Sequence, residues 1–384
     1  MMNVQVPFYR HSLSPENSRL VAEVLETPFL TSGPIGKQVE NQLQEYFNVK
    51  HAKLVNSWTN GAVATLLALD IGPGDEVIVP AMTFIATANV VELVGAKPVF
   101  IDCDPDTLLI TPELVKAAIS KNTKAVIPVH MYGQMCDIKA IKEVLPKEQN
   151  ISIIEDCAHS FEAKLNGERP GKYSTAAIFS FYATKNITCG EGGAIITNDE
   201  TLFEKIIQTV LHGMSAGAAD RFKKGQYKHW GMQRLGTKAN LPDLLACFLP
   251  NQINEIDSKL YLRENLAEVY EKELKDTKIG FVNKLSNVVH SRHLFPIHVT
   301  KNSRDEILKL LGENGIGTTV NYRAVHTMDF YREKYKLAAS DFPVSENWGS
   351  GTISIPLFPG MREDEQKYVI DVLKNKVQKL IGSI

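Results

Sequence analysis

The chain has little of what marks the more specialised protein classes. Its 384 residues carry 42 basic and 44 acidic side chains, a formal net charge of −2. No global field therefore draws it to nucleic acid or to an anionic membrane, and any anion site must be local. Cysteine is scarce: the five cysteines (Cys103, Cys136, Cys157, Cys189 and Cys247) are scattered, odd in number and without a CxxC pair. That pattern speaks against a disulfide frame or a thiolate zinc site and reads as buried thiols in a reducing compartment. The stretch from Met1 to Asn17 has no apolar core of the signal-peptide kind. The apolar run from Ala62 to Leu69 stops at Asp70, far short of a membrane span. The expectation is a soluble, cytoplasmic protein with neither membrane nor nucleic acid as a partner. Internal repeats and low-complexity linkers are also lacking. Gly72-Pro-Gly-Asp75 precedes a strand-like run instead of following one, so a nicotinamide site finds no support.

The remaining composition, 44% hydrophobic and 22% charged, is that of a globular enzyme. The length calls for one large domain and a smaller one, placed at residues 1–245 and 246–384. Five short apolar runs read as buried strands: Glu76 to Pro80, Pro98 to Asp102, Ala125 to Val129, Ile151 to Ile154 and Ala176 to Ser180. Their near-continuous apolar character suits a sheet covered on both faces. Helices with legible starts lie between them, at Thr111-Pro112-Glu113 and at Asp137. This alternation implies an α/β fold with a mainly parallel sheet. Later come a long amphipathic stretch from Asn251 to Lys275, a helix from Ser303 ended by Gly315, and a final helix from Asp364 to Leu380. Strand-like segments at Leu294 to Val299 and Gly351 to Ile355 complete a smaller α+β unit.

Four local features carry chemistry. Ser180-Phe-Tyr-Ala-Thr-Lys185 places a lysine just after a buried strand, among small or apolar neighbours that lower an amine's pKa and favour imine chemistry. The same segment also reads as a solvent-facing loop lysine. Glu155-Asp156-Cys-Ala-His159 closes another strand, at the edge where open α/β sheets bind ligands. A buried aspartate there can hold a pyridine nitrogen protonated; a helix cap or a metal site are the other readings. Asn56-Ser-Trp-Thr59-Asn60-Gly61 opens a helix, as a phosphate cradle or as an ordinary cap. Finally, the span from Gly213 to Asn240 holds six basic residues against the single acid Asp220, with Phe222, Tyr227 and Trp230 among them. It suits a lid over a nucleotide diphosphate, or a solvated loop. A phosphate cradle, an aspartate for a ring nitrogen and an imine-forming lysine together name pyridoxal 5′-phosphate (PLP).

With those residues in view, the sequence resembles the DegT/DnrJ/EryC1/StrS family of nucleotide-sugar aminotransferases. The likeness runs nearly end to end, through Thr31-Ser-Gly-Pro34, Gly74-Asp-Glu-Val-Ile-Val-Pro80, Thr83-Phe-Ile-Ala-Thr87, Thr123 to His130, Glu155 to His159, Phe179 to Lys185 and Glu191-Gly-Gly193. The resemblance implies a fold-type I PLP-dependent transferase with Lys185 and Asp156 as catalytic residues. Lys185 would carry the cofactor as a Schiff base and Asp156 would meet the ring nitrogen. His159 would lie near the ring and Phe84 would stack on it. Ser180, Thr59 and Asn60 would contact the phosphate. Asn240 would reach the phosphate of a neighbouring subunit, so a homodimer with shared sites is implied. Thr31, Lys238, Arg323 and His326 are the implied substrate contacts, and no metal is expected. In this chain Thr237 and Ala239 stand where the family carries aromatics, and Trp58 where it carries a small residue. The segments Asn321 to His326 and Ile355 to Pro359 are similar to family members that aminate a UDP-4-keto-pentose, which implies a UDP-4-keto sugar as acceptor and L-glutamate as donor. Two alternatives accompany this reading. One is a pyridoxamine-phosphate-dependent dehydratase, whose family members carry histidine where this chain has Lys185. The other is a non-catalytic regulator that binds a nucleotide sugar.

Overall fold

The computed structural model describes residues 5–215, 229–300 and 303–383. The basic cluster of the expected lid (Arg221, Lys223, Lys224 and Lys228, with Phe222 and Tyr227) lies outside these. Among the described residues a seven-stranded sheet forms the larger core. In chain order its strands are β1 (His51–Val55), β2 (Glu76–Pro80), β3 (Lys97–Ile101), β4 (Thr123–Val126), β5 (Ser152–Asp156), β7 (Ala176–Ser180) and β8 (Gly193–Thr197). A two-residue β6 (Lys164–Leu165) pairs outside it with β10 (Val288–Val289). The spatial order β1-β8-β7-β5-β4-β2-β3 is parallel from β7 to β3 and antiparallel at β8 and β1.

Alternation along the strands explains why these runs are so apolar. Val77, Val79, Ala125, Ile127, Ile154 and Ile178 enter one core cluster, beneath the helices Trp58–Ala68, Ala86–Leu93 and Glu200–Thr209. Their neighbours Ile78, Val126, Ile153, Ala177 and Phe179 enter the clusters on the opposite face. A strand buried on both sides has no position left for a polar residue until its end, and there the functional side chains begin.

The second core surrounds an antiparallel sheet of β9 (Gly280–Phe281), β11 (Phe295–His298) and β12 (Thr352–Ile355). The 26-residue helix Leu249–Leu274 belongs to both cores: Leu249, Ile253 and Ile256 pack beside the large sheet, Ala267, Tyr270 and Leu274 beside the small one. The N-terminal segment, grouped on sequence with residues 1–245, runs instead to the second core. Val6 is buried there, and its N–H donates to Gly315 O at 3.0 Å.

Three local expectations differ in detail from what forms. Ser303 stands at the N-cap of the helix Arg304–Glu313, but its hydroxyl turns back to Thr300 O (2.9 Å) instead of capping. The final helix is interrupted: Glu363–Val372 passes through a π-helical turn, Leu373–Val377, into Gln378–Ser383. Of the glycines after Lys185, Gly193 begins the unexpected antiparallel strand β8. A Cβ on Gly193 would lie 2.5 Å from Phe179 O and 2.9 Å from Trp58 N, so only glycine lets β8 enter between β7 and the helix start.

Candidate active site

The carboxyl ends of β2, β4, β5 and β7 converge with the start of the helix Trp58–Ala68 around a cavity of about 420 Å³. This is the edge where open α/β sheets bind ligands.

Asp156, the last residue of β5, faces the cavity and is 5% exposed. Its Oδ1 accepts from Ala158 N and its Oδ2 from Thr87 Oγ1, both at 3.1 Å. Thr87 Oγ1 lies 2.9 Å from Thr83 Oγ1. Burial pushes the Asp156 carboxyl up to about 6, against the pull of these hydrogen bonds and of the Lys185 charge. Strand alternation sends the preceding Glu155 to the other face, 2.7 Å from His130 Nε2. Together with Cys157 these two are the group among the described residues whose ligand-type atoms lie within 4.8 Å of one another. They are committed to internal hydrogen bonds: His130 Nδ1 accepts from Cys136 N, and Glu155 Oε1 from Gly171 N and Ser174 Oγ. Glu155 thus pairs with His130, and His159 lines the cavity.

Lys185 sits in the loop between β7 and β8, which Phe181 closes by donating its N–H to Gly192 O (2.8 Å) and accepting from Cys189 N (3.1 Å). Gly190 takes the left-handed turn this loop needs, at φ +84°. The amine reaches the cavity, where burial lowers its pKa to about 8 despite the opposing pull of Asp156. Lys185 is half-buried and lines the cavity. His159 contributes a neutral imidazole, held well below its usual pKa by burial and then by the Lys185 charge. Its Nδ1 accepts from Tyr132 N (3.2 Å), so Nε2 donates to Tyr322 Oη (3.0 Å). Phe84 also lines the cavity, half exposed, with its ring 5.4 Å from that of Tyr322.

At the other end Ser57 caps the helix, its Oγ accepting from Asn60 N at 3.1 Å. The first amides of that helix have no intrahelical acceptor and carry the positive end of its dipole. Thr59, Ser180 and Gly192 line the same end.

Thr59, Phe84, Asp156, His159, Ser180 and Lys185 therefore share one cavity. Asn60 does not line it; its amide donates to Asn56 Oδ1 at 2.9 Å. Thr31, Lys238 and Asn240 form a separate group: Asn240 Nδ2 donates to Ser32 Oγ (2.8 Å) and Thr31 Oγ1 (3.3 Å), and Lys238 donates to Asn240 Oδ1. Arg323 is exposed. His326 is buried away from the cavity, 3.2 Å from Glu346 and against the Phe342 ring. Two of the three departures from the family pattern meet in one core cluster, where bulky Trp58 and small Ala239 are both buried and Asn56 N donates to Ala239 O (2.7 Å). A large residue at one position and a small one at the other keep the interior filled. Thr87, Asn321 and Tyr322 were missed as site residues although each stands inside a stretch singled out on sequence. Their facing depends on how loops after β2 and before the small domain's last helices fold back, which spacing does not encode.

A flat, phosphorylated pyridine aldehyde fits this arrangement on three counts. A buried carboxylate waits without a cation of its own in contact, a depressed-pKa amine shares its cavity, and a glycine-flanked helix start faces the far end. Fold and cavity define a fold-type I PLP-dependent transferase. The family model of the DegT/DnrJ/EryC1/StrS aminotransferases matches residues 11–374, and the chain belongs to that family. Its structure is similar to a sugar aminotransferase from Streptococcus pneumoniae in the pyridoxamine-phosphate form (TM-score 0.91, 26% identity, 99% of this chain and 100% of that one). It is likewise similar to DesV of S. venezuelae, solved with a ketimine intermediate (TM-score 0.87, 30% identity, 99% of both chains). A third is PseC of Helicobacter pylori, an aminotransferase in pseudoaminic acid biosynthesis (TM-score 0.89, 25% identity, 99% of this chain and 100% of that one). The protein is a PLP-dependent sugar aminotransferase. Among the described residues no helix is long and apolar enough to cross a membrane.

Proposed function

We propose that the protein transfers the amino group of L-glutamate to the keto carbon of a nucleotide-linked sugar, with a UDP-4-keto sugar as the acceptor. The observation that carries this reading is the shared cavity of Lys185 and Asp156 beside a helix N-terminus. PLP, when bound, supplies the electron-withdrawing ring that lets an amino group pass from donor to acceptor. Asp156 keeps that ring's nitrogen charged. Lys185 would anchor the cofactor and, with its amine free, would hold and deliver the migrating proton at Nζ. Thr59, Ser180 and the first turn of the helix Trp58–Ala68 hold the phosphate. Phe84 and His159 confine the ring and exclude water.

The group Thr31, Lys238 and Asn240 lies outside its own chain's cavity, next to the exposed Phe29 and Leu30. That supports a homodimer in which each copy completes the other's site, with the exposed Arg323 near the sugar nucleotide. The product is an amino sugar for a surface polysaccharide or glycolipid, made in the cytoplasm. A lysine at position 185 speaks against the dehydratase reading, and the retained Lys185–Asp156 pair against a silent regulator. Screening UDP-, dTDP- and GDP-4-keto sugars with glutamate, with NMR of the product, tests the acceptor. The purified protein should show a cofactor absorbance band that Lys185→Ala abolishes. No band in wild type after PLP addition, or no aminated product with any acceptor, would sink the proposal.

A further inference from the structure

A second histidine stands behind Lys185, in a part of the sequence that no pattern marked. His293 precedes β11 and is 6% exposed. Its Nε2 lies 3.4 Å from Lys185 Nζ, and its Nδ1 lies 3.1 Å from Asn186 Oδ1. The partners dictate the tautomer. Asn186 Nδ2 donates to Glu162 Oε2 (3.0 Å), to Glu162 Oε1 (3.2 Å) and to Ser291 O (2.9 Å). The amide is thereby oriented with its oxygen toward His293, and an amide oxygen only accepts. Nδ1 must then carry the proton, which leaves the Nε2 lone pair directed at the lysine. Glu162 is pinned in turn by a buried ion pair with Arg263, from the helix Leu249–Leu274, whose Nε donates to Ser291 O at 3.2 Å. The ring also packs on His159, with centroids 4.5 Å apart. A chain of fixed groups thus runs from the long helix to the lysine.

We propose that His293 is a positioning residue for Lys185: its Nε2 accepts one N–H of the amine and turns the nitrogen lone pair toward the cavity. This rests on Lys185 acting as the proton carrier, as argued above. A free primary amine on a flexible four-carbon stem samples many orientations, and one fixed acceptor removes most of them. His293 takes no proton itself. Burial, with the charges of Lys185 and Arg263 nearby, holds it far below its usual pKa and so neutral. The interaction is therefore a held hydrogen bond, and its role is orientation.

The experiment uses the dimeric or monomeric enzyme as purified, loaded with pyridoxamine phosphate so that Lys185 is unattached. In protein carrying ¹⁵N-histidine, the His293 ring, assigned by its loss in His293→Gln, should show a protonated Nδ1 and a bare Nε2. A proton on Nε2 overturns the proposal. In steady-state kinetics His293→Phe, which keeps a ring against His159 but offers no acceptor, should lower kcat roughly 10- to 100-fold with KM for both substrates little changed. His293→Gln, whose amide oxygen can replace Nε2, should recover most of kcat. Wild-type kcat in the Phe variant, or a Gln variant no better than Phe, refutes the assignment. The cofactor absorbance band separates the two levels of argument: its absence in wild type undoes the Lys185 reading, whereas its presence with an unchanged Phe variant undoes only His293.

Discussion

Replacing Asp156 by asparagine should move activity and stability in opposite directions. The side-chain shape is kept, and so is the hydrogen-bond chain. The introduced amide can still accept from Ala158 N through its oxygen. Its nitrogen can donate to Thr87 Oγ1 if that hydroxyl turns to donate to Thr83, a reversal open to two hydroxyls 2.9 Å apart. What is lost is the charge. Two unit charges ~4 Å apart at an effective dielectric of ~20 attract by ~4 kcal/mol, so losing the charge opposite the ring nitrogen should slow turnover about a thousandfold. In the cofactor-free protein the same charge is a burden. Burial raises this carboxyl from 3.8 to about 6, which corresponds to a cost of about 3 kcal/mol for keeping it ionised at neutral pH. The folded state binds the proton more tightly than the unfolded one, so this group's contribution is fully present below 3.8 and is lost as pH rises through about 6. Apo Asp156→Asn should therefore unfold at higher urea concentration than apo wild type at pH 7.5, and the gap should shrink on acidification below about 6. Steady-state kinetics on the holoenzyme and urea unfolding of the apoprotein provide the two readouts. If activity and apo stability fall together, Asp156 is a structural residue and the electrostatic argument is wrong.

Two further outcomes follow from the same geometry. Glu162→Gln leaves the Arg263 guanidinium, 1% exposed, without its counter-charge; it should cost roughly 3–5 kcal/mol in urea unfolding of the apoprotein, and an unchanged midpoint would show that the pair carries no such role. In single-turnover amination of the keto sugar, the amine of Lys185 must be neutral to take a proton, so with its pKa brought down to about 8 by burial the rate should climb with pH and level off above about 8. A flat profile from pH 6 to 9 would exclude Lys185 as the titrating group.

How much of this was legible in the sequence depends on where each residue's partners lie. The five apolar runs, the caps at Thr111 and Asp137, and the lysine after Ser180 were readable because strand alternation, capping and glycine turns act over a few residues. The same local grammar hid β8, because its first residue is a glycine chosen for closeness to Phe179 O and Trp58 N, a contact between three separate segments. It also hid Tyr322, 163 residues from His159. His326 stood out as a histidine in a marked segment, yet folding turns it to Glu346 and Phe342, while its neighbour Tyr322 turns to the cavity.

By itself the sequence determined the mainly parallel class of sheet and marked Lys185 and Asp156 as the candidate amine and carboxylate. Each follows from periodicity or from chemistry carried by one short segment. Tertiary structure alone decided which face of β5 serves the cavity, which acid pairs with His130, and which histidine stands behind Lys185. Those outcomes depend on hydrogen bonds between residues as much as 108 positions apart, as His293 is from Lys185. No local pattern records such a pairing, because the chain closes it only when both cores have formed.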